Sequence, residues 1–204
     1  MKAYQKVLMI VAALSLGLLF VFPMWKIYLK APQYPEGLEL HIWVNKLGGS
    51  SESVLQNFNI LNHYIGMEPI HPESFAELQF MPYIVIAFMI TGVLVGLIGR
   101  RNLVLGWSGA LMLAGAAGIL DFYLWLVKFG TNLDPMAAIK VPGMTYIPPL
   151  LGNKQLLNFE ALSLPALGSL GIFLAISLSI VTYYFTLKNN KITTAATPEK
   201  VLIS

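Results

Sequence analysis

Residues 103–127 read LVLGWSGALMLAGAAGILDFYLWLV, an apolar run whose single charge, Asp121, comes near its end. Such a run exceeds the ~20 apolar residues that cross a ~30 Å hydrocarbon core. Three comparable stretches accompany it: Val7–Trp25, Pro82–Gly99 and Pro165–Leu187. They predict an all-α membrane protein with four transmembrane helices in one integral domain spanning residues 1–204. Composition agrees, since 56% of the chain is hydrophobic and 11% is charged, against about 25% charged residues in soluble domains. The first run follows Lys2 and Lys6 but ends in Pro23-Met24-Trp25-Lys26, not a small-x-small cleavage site. An uncleaved anchor helix is therefore expected rather than a signal peptide.

The basic residues set an orientation. Lys2 and Lys6 precede the first run, Arg100 and Arg101 sit between the second and third, and Lys188 and Lys191 follow the fourth. The positive-inside rule makes these places cytoplasmic, together with both termini and the tail 188–204. Loops 26–81 and 128–164 are then extracytoplasmic, and the chain is expected as a multi-pass protein of the cytoplasmic (inner) membrane. The net charge of +3 is scattered and partly juxtamembrane, so it is no footprint for nucleic acid.

Cysteine is absent. Cysteine-ligated iron–sulfur clusters, a CxxCH haem attachment and a thiolate copper centre are excluded. The three histidines, His41, His63 and His71, all fall in the first loop. None remains within the apolar runs to hold a bis-histidine haem. No cofactor bound tightly by this chain is expected.

Within the first loop, Leu38, Leu40, Ile42 and Val44 alternate with Glu39, His41, Trp43 and Asn45, which predicts a strand. Val54, Leu55, Phe58, Leu61, Tyr64 and Ile65 follow at helical spacing and predict an amphipathic helix ending near Gly66. That helix would lie at the membrane surface or on the second loop. A shorter helix is expected after Pro72. The second loop carries Gly130, Pro135, Pro142, Gly143, Pro148, Pro149 and Gly152, with the apolar run Tyr146–Leu151. It is expected to fold over the bundle or to be covered by a partner. Small residues recur every fourth position at Gly106, Ala110, Ala114 and Gly118, and again at Gly171, Ala175 and Ser179. Such stripes permit close helix packing in lipid. Helices two to four are expected to pack tightly and helix one more loosely. Pro82 and Pro165 are expected to open helices two and four.

Several residues are candidates for chemistry. His41, His63, Met67 and His71 offer imidazole and thioether ligands of the kind that suit copper. The bland alternative is that these histidines make loop or partner contacts. Asp121, followed by Tyr123 and Trp125, lies near the outer membrane face; Glu160 is expected at similar depth. An acid inside an apolar run is a functional candidate, here for taking protons from a quinol. It could equally pair with Lys128 or Lys154. Tyr183 and Tyr184 read as interfacial belt residues. No GxSxG, HExxH or phosphate-binding glycine loop is present.

Two loop signatures resemble a known family: Pro35–Asn45 (PEGLELHIWVN) with Leu61–Met67 (LNHYIGM) and Met81-Pro82-Tyr83, and Pro148–Phe159 (PPLLGNKQLLNF). The chain resembles the small four-helix membrane proteins encoded beside clade II nitrous oxide reductase, the NosB type. The resemblance covers most of the chain and is strongest in the loops. It implies an extracytoplasmic multicopper nitrous oxide reductase as partner, with copper in that partner, and a place in denitrification and electron transport. It does not imply what this chain does to that partner; the two mostly uncharged outer loops, more a docking platform than a metal trap, favour a non-catalytic subunit that anchors the reductase and supports electron supply from quinol, menaquinol included. The alternatives are copper delivery during maturation and a purely structural anchor. No catalytic residues transfer. Partner-binding candidates are His41, Trp43, His63, Tyr64, Tyr146, Pro148 and Pro149.

Overall fold

Four helices are long and apolar enough to cross a membrane: Ala3–Val21, Ala76–Ile98, Arg101–Thr131 and Ser169–Lys188. The structure, a computed structural model, describes residues 1–139, 141 and 143–195, without the side chains of 189–195. The expected break at Pro142 and the tail beyond residue 195 lie outside the described residues. The first span divides into α1 (Ala3–Ser15) and α2 (Leu18–Val21). Between them Gly17 N–H bonds Leu14 O at 2.9 Å, a tighter i to i−3 turn. The other spans are α4 (Ala76–Ile98), α5 (Arg101–Thr131) and α6 (Ser169–Ala195).

The all-α expectation needs correction. A five-stranded antiparallel sheet stands at one end of the bundle, in the order β3-β2-β1-β5-β4. Its strands are β1 (Trp25–Ala31), β2 (Tyr34–Ile42), β3 (Leu47–Gly49), β4 (Gly152–Leu156) and β5 (Phe159–Pro165). The two loops that flank the spans in sequence thus fold into one layer, joined where β1 pairs with β5 from Trp25↔Pro165 to Lys30↔Glu160. The predicted strand of the first loop is β2, but Val44 lies past its end. Val44 is buried among bundle residues instead of in the sheet.

One face of the sheet is apolar. Ile27, Ala31, Leu38, Leu40, Phe159 and Ala161 are buried there against α3 (Val54–Ile65). The amphipathic helix therefore lies on the sheet, through Val54, Phe58, Leu61 and Ile65, and not flat on a bilayer. Gly66, at φ +80°, ends it with Met67 N–H on Asn62 O at 2.9 Å, a Schellman closure that favours glycine. A Cβ at Gly66 would meet Ala137 at 2.8 Å, so the same glycine admits the second loop. Asp134 N–H then bonds Gly66 O and Ile139 N–H bonds Tyr64 O. Asn59 clamps the returning chain by bonding both N–H and C=O of Ile70. The helix expected after Pro72 is a single 3-10 turn, Pro72–Ser74.

Helix α5 joins the two halves. Its 31 residues span about 46 Å at ~1.5 Å per residue, more than a bilayer core needs. The surplus enters the sheet layer, where Phe122, Trp125, Leu126 and Phe129 pack against its apolar core. Trp25 seals the joint, with its ring 5.6 Å from Phe122 and its Nε1–H on Ser163 Oγ at 2.7 Å.

Two packing expectations also change. Helix one is the best buried: Met9, Ala12, Ala13, Leu16 and Leu19 are at most 1% exposed. Gly92 packs near Ala13, Gly96 near Ile10, and Gly171 against Ser15 O, so α4 and α6 close onto α1. The α5 stripe is mostly unused, with Gly106 meeting nothing within 4 Å and Ala110 exposed. Nor do the prolines open helices. Pro82 is inside α4, and Pro165 ends β5 ahead of α6. The apolar boundary and the helix boundary do not coincide, because α4 begins outside the apolar run.

At the opposite end of the bundle, the Met1 amine donates to Gly99 O and Lys6 Nζ to Leu97 O at 2.8 Å. These cations satisfy carbonyls at the C-terminus of α4, where the helix dipole favours positive charge. Arg100 and Arg101 adjoin them in sequence, and Tyr4 packs edge-on to Phe185 of α6. One end of the bundle is basic and the other carries the sheet.

Candidate functional site

The sheet has a second face, and no helix lies on it among the described residues. Residues alternate along each strand, so placing Ile27 and Ala31 in the core, with Leu29 packed against it, turns Lys26, Tyr28 and Lys30 the other way. On β2, Glu39 and His41 alternate with buried Leu38 and Leu40. On β5, Glu160, Leu162 and Leu164 alternate with buried Phe159, Ala161 and Ser163. Register aligns Leu164, Lys26 and His41 in one row, then Leu162, Tyr28 and Glu39 in the next. None of these six is fully buried.

The charges are organised. Lys26 Nζ and His41 Nε2 both approach Glu39 Oε1, at 3.2 and 3.3 Å. Desolvation pushes the Glu39 carboxyl up, but the His41 and Lys26 hydrogen bonds and charges outweigh it and hold its pKa below the ordinary range. The Tyr28 hydroxyl donates to Glu36 O at 2.8 Å. Its ring covers Gly37, at φ +81°, where a Cβ would lie 2.1 Å from ring atoms. Asn153 Nδ2 donates to Glu160 at 2.6 Å. Lys26, Tyr28, Glu39, Leu162 and Leu164 line an open recess of about 260 Å³. Just past β2, the Trp43 ring lies edge-on to His41 at 5.4 Å and carries Lys46 Nζ at 4.9 Å.

His41 and Trp43, two of the partner-binding candidates, belong to this face. His63 and Tyr64 are exposed on α3, across the sheet from it. Tyr146, another partner-binding candidate, is 1% exposed in the core that α3 covers. Its N–H bonds Gly130 O at 2.8 Å, which docks the second loop on α5, and its hydroxyl has no hydrogen-bond partner among the described residues. Pro148 lines an apolar void of about 60 Å³ in the same core, and Pro149 is half-buried.

The four metal candidates are not drawn together as the sequence pattern suggested. The helix ends at Gly66, which takes Met67 off the His63 face; its side chain packs against the core. His41 is on the far side of the sheet, and His71 Nδ1 lies 3.8 Å from Glu73. Among the described residues, no three His, Cys, Asp or Glu side chains cluster.

The quinol candidates are also separated. Glu160 is on the open face, whereas α5, with Asp121, runs under the other face. Asp121 and Tyr123 are exposed, with Glu77 of α4 as the electrostatic neighbour of Asp121. Trp125 is a packing residue, with rings 4.6 Å from Phe75 and 4.2 Å from Phe129. Lys154 does not pair with Asp121; its Nζ donates to Ile147 O at 2.9 Å.

Sequence reasoning missed Lys26, Tyr28, Glu39, Leu162 and Leu164. The alternation of Trp25–Ala31 was the available signal, hidden because Trp25 also ends an apolar run. No family model, curated protein or solved structure matches the chain.

Proposed function

We propose that the chain is the membrane partner of an extracytoplasmic nitrous oxide reductase, holding it on the open face of the sheet and supporting its electron supply from quinol. The observation that carries this reading is the raised sheet itself. Five strands are fixed on a membrane bundle, with an apolar face filled by the chain and a charged, aromatic face left free. The loop signatures that resemble the NosB type supply the identity of the partner. Basic residues at the opposite end orient the sheet outward under the positive-inside rule.

Docking falls to the upper part of the face, around Lys30, Glu160, Asn153 and Gln155, away from the bundle. Electron supply falls to the sheet end of α5, where Asp121 is exposed beside Glu77. The separation of His41 from His63 across the sheet favours this reading over copper delivery.

Co-purification from native membranes tests the partnership. The reductase should follow the wild-type chain and be lost from a Lys30→Glu, Glu160→Lys double variant that keeps its melting temperature. Equal recovery with both chains would remove the open face from the interaction. Asp121→Asn should lower quinol-dependent nitrous oxide reduction and leave the reductase copper content unchanged. Full turnover in that variant would end the electron-supply half of the proposal.

A further inference from the structure

The recess beside Glu39 sits at a particular height. The first span ends at Val21 and β1 begins at Trp25; β5 ends at Pro165 and the fourth span begins at Ser169. The row Leu164–Lys26–His41 is therefore the first above the bundle on the open face, one residue past Trp25, Ile42 and Pro165. The row Leu162–Tyr28–Glu39 follows about 7 Å higher, at ~3.3 Å per strand residue. The turn after β2 reaches the same level, since Val44 is buried in the bundle core, and Trp43, beside it in sequence, carries Lys46 Nζ over its ring. Trp and Lys at this level are what a membrane–water boundary selects.

The walls of the recess are mixed. Leu162 and Leu164 face outward on a sheet surface where a wholly aqueous setting would favour polar residues. In sequence between the recess strands and the spans, Phe22 and Leu167 are exposed at 37% and 60%, and Leu170, at the start of α6, at 49%. Polar groups stand opposite. The Lys26 and His41 contacts with Glu39 are both to Oε1, and a carboxylate has a second oxygen that can accept from a further donor. Lys26 gives Glu39 one of the three donors of an ammonium group. A negative and a positive group are thus available side by side, with Leu162 and Leu164 as the apolar wall of the recess.

We propose that this recess is a lipid site that takes a zwitterionic phosphoethanolamine headgroup. The lipid ammonium donates to Glu39, the phosphate accepts from Lys26, and the acyl chains run down past Leu162, Leu164 and Leu167. Charge complementarity selects this headgroup among the common ones. Phosphocholine has no N–H to give Glu39, and phosphoglycerol has no cation. The site lies below the docking area and stands independently of the reductase partnership.

Native mass spectrometry of the full chain, titrated with one lipid at a time, tests it. The probes are phosphatidylethanolamine, its mono- and dimethyl derivatives, phosphatidylcholine and phosphatidylglycerol, all with the same acyl chains. Wild type should retain phosphatidylethanolamine over phosphatidylcholine by about threefold to fivefold, the range for one partly exposed charge pair. Retention should fall stepwise as N–H groups are methylated, a readout that needs no variant. Glu39→Gln should erase the preference, and Lys26→Gln should weaken phosphatidylethanolamine and phosphatidylcholine alike. Equal retention of all five lipids by the wild type overturns the proposal, as does a preference that survives Glu39→Gln.

Discussion

The sheet layer and the helix bundle are built by opposite means. In the sheet layer the buried residues are large: Phe58, Phe75, Phe129, Tyr146 and Phe159 fill the space between β1, β2, β5, α3 and the end of α5. In the bundle Ala12 and Ala13 are fully buried, and Gly92, Gly96 and Gly171 leave no room for a Cβ beside Ala13, Ile10 and Ser15. The difference follows from the solvent. Water drives large apolar side chains together. Lipid gives helices no such reason, so they associate through close backbone approach and dispersion. One chain therefore carries two folding chemistries, and a substitution tolerated in one half should fail in the other.

The largest expected effect tests the sheet layer. Phe58→Ala should destabilise it by about 3–5 kcal/mol, the range for a buried aromatic truncated to alanine. Thermal melting followed by tryptophan fluorescence should show an early transition, while helical circular dichroism from the bundle persists. A single shifted transition would mean that the halves unfold as one unit. Next comes the reverse case. Gly171→Leu places a Cβ 2.5 Å from Ser15 O and should cost about 1–3 kcal/mol by overpacking, read as a lower midpoint in a denaturing-detergent titration. A midpoint unchanged from wild type would show that α6 can leave α1 without loss.

Gly37→Ala is expected to cost about 1–2 kcal/mol, because it combines a left-handed backbone with displacement of the Tyr28 ring. The effect should be confined to the sheet transition, and a loss in the bundle transition would blur the contrast between the halves. The smallest effect is a pH dependence. The folded pKa of Glu39 is lowered, so its contribution is present above the unfolded carboxylate value and is lost as pH falls through the folded one. Solvent screening limits it to about 0.5 kcal/mol. Wild type should therefore lose a small advantage over Glu39→Gln between pH 5 and pH 3. A gap that stays constant across that window would remove the ion pair from the stability of the sheet.

The two halves also differed in how far they could be read from sequence. All four spans were legible, because length and hydropathy suffice to recognise them. So was α3, down to its Gly66 end. The sheet was half legible: β2 shows its alternation in Leu38–Ile42, but β1 is continuous with an apolar run and β5 leads into another. Their pairing joins Trp25 to residues near Ser163, a contact 138 positions apart, and no local pattern encodes it. Helix packing was misread for a related reason. The stripe Gly106–Gly118 shows that α5 could be approached closely, not which neighbour approaches. Helix α1 became the centre through Ala12 and Ala13, which carry less of a repeating signature. The open face was invisible because it exists only once β1, β2 and β5 lie side by side.

The length of α5 has a mechanical consequence. Because one continuous helix belongs to both cores, the sheet cannot swivel or rise on a tether; its height above the spans is measured off by the helix like a ruler. A partner of the kind proposed above, seated on such a platform, would be kept at a constant gap from the bilayer. Inserting a helical turn into α5 between the two cores would lengthen that gap without touching a single docking residue.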